Sequence, residues 1–222
     1  MTRRLGIIGG TFDPVHLGHL HIAEQAYAQY GLDRVLFMPT GIPAWKQGRA
    51  TTPAEDRFAM LAAAIAENPH FEPSRMEIDR PGITYTIDTL RALKTLYGDE
   101  VELFFILGAD TARDLDGWKD AAEIARMATI LVADRPQTEP AWGALATTFV
   151  MQAIDTIPLS ISASELRALA QAGRSLRYLV PEPVYAYILE RGLYRAEKAP
   201  ESSRVGAAVE SSRRTSLGGA DV

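Results

Sequence analysis

Near the start of the chain, a diglycine and two histidines three residues apart stand between two apolar segments: Gly9-Gly10-Thr11-Phe12-Asp13-Pro14-Val15-His16-Leu17-Gly18-His19. Residues 5–8 before it (Leu-Gly-Ile-Ile) read as a buried strand, and residues 20–30 after it read as an amphipathic helix. A strand-to-helix turn collects backbone N–H groups and the positive end of a helix dipole, roughly half an elementary charge, at one spot. Gly9 and Gly10 let the backbone turn sharply and approach a ligand closely. His16 and His19 add two side-chain donors there. The pattern predicts a phosphate-binding turn and the first unit of an α/β fold.

The rest of the chain continues the alternation. Residues 34–38 (Arg-Val-Leu-Phe-Met) read as a second strand, so strand, helix and strand fall within about 35 residues, a parallel βαβ unit. A Gly/Pro-rich loop carrying Lys46 follows. Thr52, Pro53 and Glu55 form a helix-start signal, with Phe58, Leu61, Ala62 and Ile65 as the apolar stripe behind it. Residues 71–79 read as a partly exposed strand. Residues 84–97 read as a helix with Ile87, Leu90, Leu93 and Leu96 on one side. Residues 102–107 and 129–133 are buried strands, 121–126 a short helix and 154–157 a last strand. Ser162 and Glu165 open a helix that stops at Gly173, and residues 183–190 form a final helix. The expected fold is a doubly wound, Rossmann-like parallel sheet with helices on both faces, over residues 1–195 as one domain. Residues 196–222, dominated by Ser, Arg, Gly and Ala, read as a disordered tail.

Composition narrows the function. A net charge of −5 over 222 residues argues against a general nucleic-acid binder. The chain has no cysteine, which removes disulfides, thiolate metal sites and cysteine nucleophiles, and fits a cytoplasmic protein. No run reaches the length of a membrane span or a signal-peptide core. A homo-oligomer is left open.

In a doubly wound sheet, ligands bind outside the carboxyl ends of the strands. Thr11, His16 and His19 fall there after the first strand, Lys46 after the second, Gly108 and Asp110 after the central one, and Arg135 after a later one. Arg167, five residues after the Ser162 cap, adds a cation near another helix start. This set has cations and neutral donors but neither a nucleophile nor a carboxylate pair. It suits the stabilisation of phosphate charge rather than ester or glycoside hydrolysis. A phosphate acceptor, with a second pKa of about 6, needs no general base.

The first motif resembles the signature of the nucleotidyltransferase superfamily that shares its HxGH motif with class I aminoacyl-tRNA synthetases. Ile161-Ser162-Ala163-Ser164-Glu165-Leu166-Arg167 is similar to the ISSTxIR motif of its adenylyltransferases, with Ala163 and Ser164 in place of Ser and Thr. Tyr85-Thr86-Ile87-Asp88-Thr89-Leu90, Gly108-Ala109-Asp110, Trp118 and Asp134-Arg135-Pro136 resemble one branch in order and spacing, the bacterial nicotinate-nucleotide adenylyltransferases.

The resemblance covers nearly the whole chain without the tail. It implies transfer of the adenylyl group of ATP to nicotinate mononucleotide, with Mg²⁺. It implies that Gly9, Gly10, Thr11, Phe12, His16, His19, Gly108, Asp110, Ser162 and Arg167 bind ATP. Lys46, Thr86, Trp118 and Arg135 would bind the mononucleotide. His16, His19, Lys46 and Arg167 would be catalytic, and no protein metal ligand is implied. One departure falls at Trp45, where the family usually has histidine. Two alternatives stand beside this reading. One is a related enzyme acting on nicotinamide mononucleotide or phosphopantetheine. The other is a non-catalytic nucleotide-binding module.

Overall fold

The first apolar run becomes the central strand because both of its faces find a core. In the computed structural model, which describes residues 3–43, 51–134 and 147–195, β1 spans Arg4–Gly10. Leu5 and Ile7 enter one core and Ile8 enters the other, as alternation along a strand requires. The chain continues through α1 (Leu17–Tyr30), β2 (Arg34–Pro39), β3 (Ile42–Pro43), α2 (Ala54–Ile65), β4 (Phe71–Pro73), β5 (Ile83–Thr84) and α3 (Thr86–Tyr97). It then forms β6 (Glu102–Gly108), α4 (Ala109–Ala112), a 3₁₀ turn (Leu115–Gly117), α5 (Ala121–Met127), β7 (Ala128–Asp134), β8 (Met151–Asp155), α6 (Ala163–Gln171) and α7 (Glu182–Arg191).

Six strands pair in the order β4-β2-β1-β6-β7-β8, every pair parallel. Counted within this sheet, the order is 3-2-1-4-5-6, that of doubly wound dinucleotide-binding folds. The winding reverses between β1 and β6, which opens a crevice at their carboxyl ends. β3 and β5 form a separate small parallel pair. One core joins Phe12, Val15, Ala23, Met60, Leu61, Leu166, Val184 and Ile188, so α1, α2, α6 and α7 cover one face. The other joins Ile87, Leu90, Leu93, Ala112, Leu115 and Ile124, so α3, α4 and α5 cover the opposite face. Each large apolar side chain so buried contributes about 1.5–3 kcal/mol relative to exposure, which outweighs local propensity in fixing the layers. Among the described residues no helix is long and apolar enough to cross a membrane.

Several boundaries differ from those read in the sequence. The helix expected from residue 20 begins at Leu17 with His16 as its N-cap, so both motif histidines belong to the helix start. The capping box expected at Thr52 is absent. Pro53 is the N-cap, Glu55 turns to Arg75 (2.8 and 3.0 Å), and the Thr52 N–H donates to Asp13 Oδ2 (3.3 Å). The strand expected over residues 71–79 stops at Pro73. Beyond it the Asp79 N–H bonds the Arg75 carbonyl, which closes a turn. Leu96, expected in the buried stripe of α3, is 65% exposed. His21, on α1, has its Nε2 buried. The last strand lies at Met151–Asp155 rather than over 154–157. The expected tail, residues 196–222, lies outside the described residues.

Candidate active site

After Gly10 the chain leaves the sheet in a tight turn. Phe12 takes a left-handed backbone (φ 50°) and sinks its ring into the core at 2% exposure, against His19 (5.0 Å) and Phe37 (5.9 Å). A side chain on Gly10 would meet that ring at 3.3 Å, so the close approach needs glycine. With its side chain committed to the core, Phe12 can offer a ligand only its backbone.

The helix start sets the geometry of the histidines. His16 is extended (φ −144°, ψ 169°) and its N–H donates to His19 Nδ1 at 3.2 Å. The two rings stack, with centroids 3.7 Å apart and planes 25° apart. A Cβ on Gly18 would stand 3.1 Å from His16 Nδ1, so glycine makes room for the ring. His16 is 6% exposed and its Nδ1 has no hydrogen-bond partner among the described residues. Burial pushes its pKa down to about 4, and burial together with the neighbouring His16 holds His19 well below the usual range. Both imidazoles are therefore neutral near pH 7. Since His19 Nδ1 accepts a proton donor, the His19 proton sits on Nε2, which is left as a donor.

Two further elements lock onto this turn. Ser162 caps α6, accepting from the Glu165 N–H (3.3 Å) as expected, but its hydroxyl lies 2.6 Å from Glu165 Oε2 and donates there. Arg167 Nη1 donates to the Asp13 carbonyl at 2.7 Å, which brings α6 to the turn. The buried Asp13 carboxylate accepts from Tyr194 Oη (2.6 Å) and from the Thr52 N–H. Burial and, after it, the charge and hydrogen bond of the Asp13 carboxylate push the Tyr194 phenol well above its usual value, against smaller opposing effects of Thr52 and Arg167.

The opposite face brings different groups to the same edge of the sheet. Thr86 is the first residue of α3, half-buried. Trp118 follows the 3₁₀ turn and sets its edge on Phe105 (6.0 Å, 83°). Lys119 Nζ lies 4.3 Å from the Tyr85 ring centroid and 3.6 Å from Asp88, which joins the two segments. Asp88 stands in the first turn of α3, as its place in the sequence predicts. Gly108 and Asp110 sit past the end of β6. The Asp110 side chain is 98% exposed and pairs with Arg113 at 3.4 Å. Lys46, Trp45 and Arg135 lie outside the described residues.

Thus His16, His19, Ser162 and Arg167 gather around one turn, while Thr86 and Trp118 belong to the elements on the other face of the sheet and the Asp110 side chain is exposed past β6. Three further groups were not singled out in the sequence. Arg57 lies fully buried beneath the turn. Tyr194 reaches Asp13 from the far end of the described chain. Glu77 accepts from Thr89 Oγ1 at 2.8 Å, and burial pushes its carboxyl up to about 7. Asp13 lay inside the first motif, but its neighbours did not announce it. Among the described residues the arrangement offers neutral N–H donors, a guanidinium and helix N-termini at one edge of the sheet, with no aligned nucleophile and base. That is machinery for positioning and charge stabilisation.

The cytidylyltransferase-like family model matches residues 7–169. A Corynebacterium kroppenstedtii protein named nicotinate-nucleotide adenylyltransferase is 45% identical over 196 residues, covering 86% of this chain and 90% of the relative. A Salinispora arenicola protein of the same name is 43% identical over 188 residues, covering 85% of this chain and all of the relative. Among solved structures, nicotinic acid mononucleotide adenylyltransferase of Plasmodium falciparum, complexed with NaAD, superposes with a TM-score of 0.72 at 18% identity, over 86% of this chain and 97% of that one. That likeness concerns the fold. The length and level of the sequence matches place the chain in the nicotinate-nucleotide adenylyltransferase family, within the cytidylyltransferase-like nucleotidyltransferases.

Proposed function

We propose that the chain transfers the adenylyl group of ATP to nicotinate mononucleotide, giving deamido-NAD and pyrophosphate in NAD biosynthesis. The observation that carries this reading is the stacked, neutral His16–His19 pair locked beside Arg167 at the end of β1. It stands in a chain whose relatives at 43–45% identity over their near-full length bear that name. A phosphate oxygen of the mononucleotide attacks the α-phosphorus of ATP. The bond from that phosphorus to the bridging oxygen breaks, and pyrophosphate leaves with the electron pair. No base is required, because the attacking phosphate is largely ionised near neutral pH, with a second pKa of about 6.

In this reading the backbone at Gly9, Gly10 and Phe12, with Thr11, cradles the triphosphate. His16, His19 Nε2–H and Arg167 stabilise the charge that builds on the departing pyrophosphate. Ser162 joins them by exchanging its Glu165 partner for a phosphate oxygen. Gly108 and Asp110 take the ribose, and Lys46 reaches the phosphates. Trp118 stacks on the pyridine ring, backbone groups near Thr86 and Trp118 receive its carboxylate, and Arg135 holds the mononucleotide. Among the described residues no three His, Asp or Glu side chains converge on a metal position, and Asp13 is already engaged. Mg²⁺ would fit this donor set as a counter-ion carried by the triphosphate, where it would neutralise phosphate charge. We place the enzyme in the cytoplasm, with small nucleotides rather than nucleic acid or membrane as its partners.

The test is pyrophosphate release from ATP with nicotinate mononucleotide, nicotinamide mononucleotide, phosphopantetheine or no acceptor. The highest kcat/KM is expected with nicotinate mononucleotide. A preference for another acceptor would replace this reading with that of a related enzyme, and ATP binding without pyrophosphate release for any acceptor would leave a nucleotide-binding module.

A further inference from the structure

Arg57 lies on the first turn of α2, is 2% exposed, and forms no ion pair among the described residues. Its guanidinium is spent on main-chain carbonyls. Nη1 donates to Thr11 at 2.7 Å, Nη2 to Thr40 at 2.8 Å and Gly41 at 3.4 Å, and Nε to Thr52 at 3.0 Å. These acceptors belong to three separate segments: the turn after β1, the end of β2, and the entry to α2. All stand at the ligand edge of the sheet. A planar fork with donors in fixed directions can bridge three segments in this way, whereas an ammonium or an apolar side chain of similar length cannot.

The peptide held at Thr11 matters most. Its other end is the Phe12 N–H, which has no acceptor among the described residues and sits at the left-handed residue of the turn. A carbonyl that accepts from a guanidinium polarises its own peptide and makes the N–H beyond it a stronger donor. The Thr40 end is tied into the same turn, since the Thr40 N–H donates to the Gly10 carbonyl at 2.9 Å.

We propose that Arg57 is a positioning residue of the ATP site: by fixing the carbonyls of Thr11, Thr40 and Thr52 it holds the phosphate turn in its binding shape and leaves the Phe12 N–H for a phosphate oxygen. Arg57 acts through the main chain and does not touch the nucleotide. Its influence falls on the triphosphate side of the crevice, because none of its acceptors belongs to α3 or to the Trp118 segment.

This rests on ATP being bound at the turn and not on the identity of the acceptor, so it is tested by ATP affinity with no acceptor present. Arg57→Lys and Arg57→Met are compared with the parent chain by calorimetric ATP titration, by KM for ATP and for nicotinate mononucleotide, and by thermal melting. Arg57→Met is expected to weaken ATP binding by about tenfold or more, as for a turn displaced by a fraction of an ångström, with Arg57→Lys between it and the parent. The KM for the acceptor is expected to stay within about twofold in both variants. ATP affinity unchanged in folded variants, equal rises in both KM values, or failure of both variants to fold would assign Arg57 to the fold alone and overturn the proposal. If the parent binds ATP but prefers another acceptor, the proposed reaction fails while this comparison still decides the role of Arg57.

Discussion

Replacing Gly18 by alanine should separate stability from activity, because the same methyl group helps the helix and disturbs the site. Gly18 is the second residue of α1, its backbone is not left-handed, and the exchange removes the entropic cost of glycine in a helix, up to about 1 kcal/mol and less in a first turn. Against this, the new Cβ would stand 3.1 Å from His16 Nδ1 and 3.2 Å from Cε1. That is roughly 0.3–0.9 Å inside the optimum for non-bonded heavy atoms. The His16 ring has little room to retreat, since it is 6% exposed and stacked at 3.7 Å on His19. The pair must therefore shift together by a few tenths of an ångström. A misplacement of 1 Å in a reacting site can cost about 10²-fold, so this smaller shift should lower kcat by roughly three- to tenfold. The melting temperature should stay the same or rise slightly, and the KM for nicotinate mononucleotide should not change. Continuous pyrophosphate-release kinetics with a thermal melt on the same preparation measure both. A kcat within twofold of the parent would refute the reasoning, since it would mean that the position of the His16 ring does not matter to turnover.

Two other outcomes follow from the same pair. His19→Ala removes the Nε2–H donor and should lower turnover by about 10²-fold or more with a smaller change in the KM for ATP, as for the loss of a donor aimed at transition-state charge; near-normal turnover in the same assay would exclude that role. The stability of the chain should fall with acid in a window set by His16. Its pKa is depressed in the fold to about 4 from an ordinary 6.5, so the unfolded chain binds the proton first. The contribution is complete above pH 6.5 and is lost as the pH falls toward 4, by about 2 kcal/mol at pH 5. Denaturant melts at pH 7 and pH 5 should show this loss, and His16→Gln should reduce it.

The sheet and the first motif were legible because their signals are local. Residues 5–8 are apolar on both faces, as only an interior strand of a covered sheet can be, and β1 is that strand. The histidine pair was legible from its spacing, since residues three apart on a helix start meet. Arg57 was not. Between Asp56 and Phe58 it reads as part of a solvated helix face, and the predicted stripe of Phe58, Leu61, Ala62 and Ile65 is rotated from the buried set of Arg57, Met60, Leu61 and Ile65. Its acceptors are carbonyls of Thr11, Thr40 and Thr52, and a carbonyl has no signature in a sequence. Asp56 was hidden in the same way, because its partners, Tyr187 (2.8 Å) and Arg191 (3.2 Å), come from the last helix. Glu77 reads as the charged neighbour of an exposed strand. It is buried because the chain turns after Pro73 and Gly41 packs against the Glu77 carbonyl, where a side chain on Gly41 would come within 2.4 Å.

The distribution of charge explains why the two kinds of donor at the turn should have different kinetic effects. Near pH 7 the histidines carry no charge, so among the described residues the fixed positive charge close to the turn comes from Arg167 and, beneath it, Arg57. A fixed cation attracts the triphosphate before the reaction as well as during it, so part of its effect falls on KM rather than kcat. A neutral imidazole N–H binds the ground state more weakly. In the proposed reaction its hydrogen bond would strengthen as negative charge moves onto the departing pyrophosphate, and the ring, already buried and held by its stacked partner, needs no reorganisation at that moment. The lowered pKa of the pair is thus not a defect of burial. In the proposed reaction, two uncharged donors would hold ATP weakly in the ground state and gain strength as charge appears when the bond to the α-phosphorus breaks.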